Sequence, residues 1–274
     1  MVEIFDNIRK IYAFTEVCPE LAEHIEFFSE SSALSTQKYI GNSSFSVKMF
    51  PSWTPTFYIN LGAPYLISVG QQQHRISAKQ DILILRDSIV ERFNTPSDNI
   101  FTVKFYPGGL EAVLGTSQLK CARRIVDLGA ILPAKLLNSM KKPITFHERC
   151  GLMQNYLLKV LEERQQNDYY LRFVRDCIDN YGVSGMQLNT GEIAEKMFVT
   201  SKTINRYFNR VVGISPKNYF SIVRARTALT YYVNHKRGFM PYDFGYYDMS
   251  HFYKEMVRFT GKKLTEYAAY NRAT

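Results

Sequence analysis

The feature that most constrains this chain is a change of hydrophobic period at Pro107-Gly108-Gly109. Before that turn, from Tyr39 to about Tyr106, short runs rich in β-branched and aromatic residues are broken by Gly, Pro, Asn and Asp. Phe45–Phe50, Phe57–Leu61, Tyr65–Val69, Asp81–Leu85 and Ile100–Tyr106 are the clearest, and such runs predict the strands of a sandwich or small barrel. After the turn a helical period takes over. Leu152, Met153, Tyr156, Leu157, Val160 and Leu161 trace one apolar stripe, and the polar run Glu162–Asp168 behind it predicts a linker. The stripe suits either a symmetric dimer or packing on its own barrel. Ahead of the strands, Leu21, Ile25 and Phe28 stand at helical spacing after Pro19, so residues 1–30 read as a helical start. The expected architecture is multi-domain α+β: a β-barrel or sandwich with flanking helices over 1–165, and an all-α domain over 171–274.

Charge divides the chain in the same place. Residues 171–274 hold 16 Lys+Arg against 8 Asp+Glu, whereas residues 1–170 hold 18 against 17. Almost all of the net +9 therefore sits on the helical part. That is the footprint of a module that meets a polyanion, although a solubilising surface has the same balance. The start MVEIFDNIRK carries no apolar block, and no run approaches the roughly 18 apolar residues that span a bilayer, so the expected location is the cytoplasm. Cys18, Cys121, Cys150 and Cys177 form no Cys-x-x-Cys pair and read as reduced thiols rather than a zinc site.

The helical part contains an internal repeat. In TGEIAEKMFVTSKTINRYFNRVVG (190–213), Ile193 and Ala194 belong to one helix, and Thr200 or Ser201 can cap the next. That second helix buries Ile204, Phe208 and Val211, which turns Lys202, Asn205, Arg206 and Asn209 outward. Some 48 residues later FMPYDFGYYDMSHFYKEMVRFTG (239–261) repeats the plan. Met240 and Phe244 pack its first helix, Gly245 makes the turn and Asp248 can cap a helix that buries Phe252, Met256 and Phe259. Met249, Ser250, Tyr253 and Lys254 are left facing outward. Two short helices joined by a tight turn, the second with a basic exposed face, are what a major groove receives.

These residues resemble the AraC/XylS family of transcription regulators. The similarity rests on Ile193-Ala194, Thr200, Ile204-x-Arg206-x-Phe208, Gly213-Ile214-Ser215-Pro216, Tyr219 and Arg224-x-Arg226, then GYYDMSHFYKEMVRFTG and Thr265-Glu266-Tyr267. It implies a bacterial, cytoplasmic, nucleoid-associated DNA-binding regulator with two helix-turn-helix units bridged by one long helix, about Pro216–Asn234. It implies double-stranded DNA as partner, with RNA polymerase if the protein activates, and a possible homodimer. Ser201, Lys202, Thr203, Asn205 and Arg206 are the expected contacts of the first unit, and Met249, Ser250, Tyr253 and Lys254 those of the second. Arg206 suits a guanine and Asn205 an adenine, while Lys217, Lys262 and Lys263 suit phosphates. Arg224 or Arg226 is expected to pair internally and hold the units together. Three departures stand out, one being Met249, where the family's second unit carries glutamine or a similar polar side chain, which implies weaker base readout by that unit. Phe198 occupies a place where the family has a turn glycine, and Pro241 falls in the first helix of the second unit.

FPSWTPTFYINLG (50–62) and FTVKFYPGGLEAVLG (101–115) resemble the cupin-like sensory domains found ahead of some such regulators. That implies a small-molecule effector, with Trp53, Phe57, Tyr58, Tyr65, Phe105 and Tyr106 as candidate pocket residues that serve equally as core. His24, His74 and His147 are too scattered for a metal cupin, and no catalytic grouping stands out, so no cofactor and no enzyme activity are expected. Two rival readings remain: a metal-independent cupin-type ligand-binding protein or enzyme with a basic helical appendage, and a constitutive architectural DNA binder.

Overall fold

The computed structural model describes residues 11–41, 45–95, 97–164, 168–235, 238–261 and 263–264. It divides into two compact units, one formed by residues up to Met49 with Trp53–Asp168, the other by Phe50–Ser52 with the chain from Tyr169 onward.

The first unit is built on two antiparallel sheets, with strands numbered in chain order. The six-stranded sheet runs β1 (Tyr12–Thr15), β2 (Ile25–Ser31), β9 (Ile100–Phe105), β4 (Pro55–Asn60), β7 (Ile82–Leu85), β10 (Ile125–Asp127). The four-stranded sheet runs β3 (Phe45–Met49), β8 (Val90–Asn94), β5 (Tyr65–Val69), β6 (Gln72–Ile76). Side chains alternate across a strand, so the central strands feed two cores. Phe57, Ile59, Leu83, Leu85, Val103 and Phe105 face a cluster closed by Met153 and Leu157 of the helix Phe146–Arg164. Their neighbours Tyr58, Ile82 and Ile84 face the other way and meet Val47, Tyr65 and Ile67 between the sheets.

The structure corrects the helical start. Residues 1–10 lie outside the described residues; within residues 11–30 a helix spans Pro19–Ala22, and Ile25 and Phe28 belong to β2. A register shift between Ile25 and Phe27 lets both residues face the same core although they are three apart. A bulge in a strand thus imitates a helical spacing. Of the segment read as a linker, residues 162–164 continue the helix, which ends at Arg164 and carries a Lys159–Glu163 pair across its last turns. Residues 165–167 lie outside the described residues. In the stripe on this helix, Met153 and Leu157 are wholly buried in the unit's own core, whereas Leu152 is 38% exposed.

One buried ion pair ties this helix to the sheet. Arg149 Nη1 donates to Glu30 at 3.0 Å, while Nε and Nη2 donate to the carbonyls of Met140 and Lys142. Burial also pushes the Cys150 and Cys177 thiols up to about 12. Neither is thiolate near neutrality, so we expect both to resist a thiol reagent at pH 8 in the native protein and to react on unfolding. Timed labelling with mass spectrometry checks this; native modification as fast as that of a free thiol contradicts it.

Candidate nucleic-acid interface

The helical unit begins with the helix Tyr169–Val183, whose buried face includes Phe173, Val174 and Cys177. Next comes Thr190–Lys196, started by a capping box. Asn189 accepts from the N–H groups of Gly191 and Glu192, and the Glu192 carboxylate accepts the Asn189 N–H at 2.6 Å. The turn that follows places Phe198 at φ 54°, with the residue 96% exposed. A Cβ in this left-handed region costs about 1–2 kcal/mol, and an exposed ring recovers nothing by burial. Phe198→Gly should therefore stabilise the unit by about 1 kcal/mol, readable as a higher urea midpoint by circular dichroism. A lower midpoint would show that the phenyl ring is held by something.

Thr200, extended, caps the helix Ser201–Val211 by accepting the Thr203 N–H. Ile204 and Phe208 are wholly buried and Val211 nearly so. That burial fixes what faces water: Ser201, Lys202, Arg206, Asn209 and Arg210 are exposed, and Thr203 and Asn205 half-buried. Asn205 Nδ2 donates back to the Ser201 carbonyl at 2.9 Å. The Arg206 guanidinium lies 5.1 Å from the Tyr207 ring centroid.

The long helix spans Pro216–Asn234, with Ser215 as its cap and Pro216 at its first position. Lys217 is exposed at its start. Arg224, at its middle, donates to both Glu255 oxygens at 3.2 Å, lies 4.6 Å from the Tyr246 ring centroid and reaches the Gly245 carbonyl. It joins the long helix to the second repeat. Burial pushes the Tyr246 hydroxyl well up, so it stays protonated beside the ion pair.

In the second repeat Pro241 opens a single 3-10 turn, Pro241–Phe244, which replaces the longer first helix of the other unit. Met240, expected in the packing, is 59% exposed, and Phe239 takes its place, stacked on Phe244 at 15°. Proline fixes φ at the turn's start and brings Phe239 inward instead. Gly245 turns the chain at φ 69°, and Asp248 caps the helix Met249–Thr260 by accepting the His251 N–H at 2.7 Å. Phe252 and Met256 are wholly buried; Met249, Ser250 and Lys254 are exposed and Tyr253 is half-buried. Lys263 is exposed, and Lys262 lies outside the described residues. The sequence reading passed over Arg210 and Arg258, one turn beyond Arg206 and Lys254 and exposed like them. Their helical spacing is the signal that would have found them.

The sheet unit holds a second feature. Between the sheets lies a cavity of about 40 Å³ lined by Tyr12, Met49, Tyr58, Arg86, Arg92 and Lys104 among others. All three cations are almost fully buried. Arg92 lies 4.0 Å from Asp98, under the Tyr12 and Tyr65 rings, and burial pulls its guanidinium down to about 10. Lys104 pairs with Glu26 at 3.2 Å. Of the six aromatics singled out in the sequence, Tyr58 lines this cavity and Tyr65 packs in the same core. Phe57 and Phe105 touch at 4.9 Å in the other core, which Trp53 adjoins, and Tyr106 is 40% exposed. Among the described residues no group of three or more His, Cys, Asp or Glu is placed to hold a metal ion, and no helix is long and apolar enough to cross a membrane.

A helix-turn-helix domain family matches residues 193–270, the segment that carries both capped helices. No curated protein sequence matches the chain. Solved structures with a similar course include ToxT from Vibrio cholerae, at 8% identity and TM-score 0.48, covering 83% of this chain and 98% of that one. Another is ToxT bound to (E)-4-(8-methylnaphthalen-1-yl)but-3-enoic acid, at 12% identity and TM-score 0.46, covering 83% and 98%. The AraC-like transcriptional activator CuxR follows at 15% identity and TM-score 0.28, covering 75% and 73%. Two capped helices with exposed basic residues fall within the matched segment, and residues 193–270 form a helix-turn-helix domain.

Proposed function

We propose that the chain is a sequence-specific, effector-responsive regulator in which the helical unit reads DNA and the sheet unit, over about residues 1–165, holds a small anionic molecule. The observation that carries the effector half is the cavity between the sheets. Three buried cations, Arg86, Arg92 and Lys104, converge on this one small space and give it a positive potential, with Lys104 also held by Glu26. Among the described residues the Arg92 Nη1 has no hydrogen-bond partner. An anion with a short apolar portion satisfies that donor and meets Met49, Val47 and Phe14 on the walls. Such a regulator works in the cytoplasm on nucleoid DNA, contacts RNA polymerase if it activates, and has the option of pairing as a homodimer.

The test is thermal unfolding of the full chain with short-chain carboxylic acids and with their uncharged amides. We expect an acid to raise the melting temperature, the matching amide to leave it unchanged, and Arg92→Met to abolish the response. Equal responses to acid and amide, or none at millimolar concentrations, would mean that the cations are only structural.

A further inference from the structure

Laid over one another with an offset of 48 residues, the two recognition helices share one frame. The caps Thr200 and Asp248 each accept the N–H three residues on. The buried stripe Ile204, Phe208, Val211 corresponds to Phe252, Met256, Phe259, and both helices end at a left-handed glycine, Gly213 and Gly261. Lys202 has Ser250 as its counterpart, but two outward cations do correspond, Arg206 with Lys254 and Arg210 with Arg258. One edge does not. In the first helix it reads Ser201, Asn205, Asn209; in the second it reads Met249, Tyr253, Val257.

Residues at these intervals of four lie along a single edge, so the replacement is concerted. The first helix presents hydroxyl and amide groups, the second a thioether, a phenol and an isopropyl group. Met249 is 44% exposed, so the second edge is not withdrawn into the core. Exposed Lys254 and Arg258 each follow a residue of this edge along the same helix, a setting that suits a polyanion. In the major groove one apolar group distinguishes bases, the C5-methyl of thymine. On the reading that both helices enter major grooves, we infer that the second recognition helix selects thymines through their methyl groups along Met249–Tyr253–Val257, while the first reads its box by hydrogen bonds. The two halves of the operator are thus read by different chemistry.

The experiment uses the full chain and a duplex selected by it from a random pool. Thymines are replaced by uracil one box at a time, which removes the methyl and leaves every hydrogen-bonding group. Each contacted methyl is expected to be worth about fourfold in affinity, the value of one buried methylene. Uracil in the second box weakens binding accordingly, uracil in the first box changes little, and Met249→Gln removes the sensitivity at one position. A cytosine placed at a contacted thymine recovers part of the loss when it carries a 5-methyl group. A second box without thymines, or one indifferent to uracil while the first box stays specific, overturns the inference and leaves the regulator reading intact. A chain that prefers no sequence at all overturns both.

Discussion

Arg224→Ala should lower the stability of the helical unit by about 3–5 kcal/mol, the usual consequence of breaking a buried ion pair from one side. Glu255 is only 8% exposed, and without Arg224 its charge has lost the partner that holds it at 3.2 Å. The same change removes the cation from beside the Tyr246 ring and the donor from the Gly245 carbonyl. Because this contact joins the long helix to the second repeat, its loss should also blur the second box while contacts to the first survive. Urea unfolding followed by helical circular dichroism reads the stability, and footprinting reads the boxes. Arg224→Ala with Glu255→Gln should be milder than Arg224→Ala alone, since the amide leaves no buried charge. A double variant as unstable as the sum of the singles would mean that the pair is not coupled.

Arg149→Met should affect the sheet unit on the same scale, about 3–5 kcal/mol at neutral pH. It strands the Glu30 carboxylate and leaves the carbonyls of Met140 and Lys142 without this donor. Burial already holds the Glu30 carboxyl above its ordinary value, against the pull of Arg149. Removing the arginine raises it further. A carboxyl whose folded value exceeds its unfolded one keeps its proton longer in the folded state, so stability falls as pH rises between the two. The deficit of Arg149→Met should therefore shrink as the pH is lowered from 8 toward 5. Trp53, the chain's single tryptophan, lies in this unit and reports its unfolding by fluorescence. A deficit independent of pH would place the effect in lost packing instead.

The helical unit was legible where one residue type answers one local demand. Thr200 and Asp248 cap, Gly245 turns the chain, Pro216 starts the long helix, and the stripe Ile204, Phe208, Val211 dictates which side chains face outward. Long-range pairing was harder to see. β6 reads QQHRI, which has too few apolar residues to announce a strand, and it forms only because β5 pairs with it. β8 hides its alternation because an inward position is Arg92, a residue that sequence alone assigns to the surface. Lys104 conceals the cavity in the same way. The aromatics drew attention to a pocket, but strand alternation sends Phe57 and Phe105 into the opposite core, and which face encloses space is a property of both sheets together.

The central claim is that two recognition helices, Ser201–Val211 and Met249–Thr260, read two neighbouring stretches of DNA. The most direct measurement is a footprint of the full chain on its selected duplex, repeated with Arg206→Ala. Successive major grooves on one face of B-DNA lie about 10–10.5 bp apart, so two protected boxes at that spacing and without dyad symmetry are expected. Arg206→Ala should relax the preference within one box and weaken binding by about 1–3 kcal/mol, leaving the other box intact. Uniform affinity for all duplexes, unchanged by Arg206→Ala, would contradict the account and leave the basic face as a charged surface only.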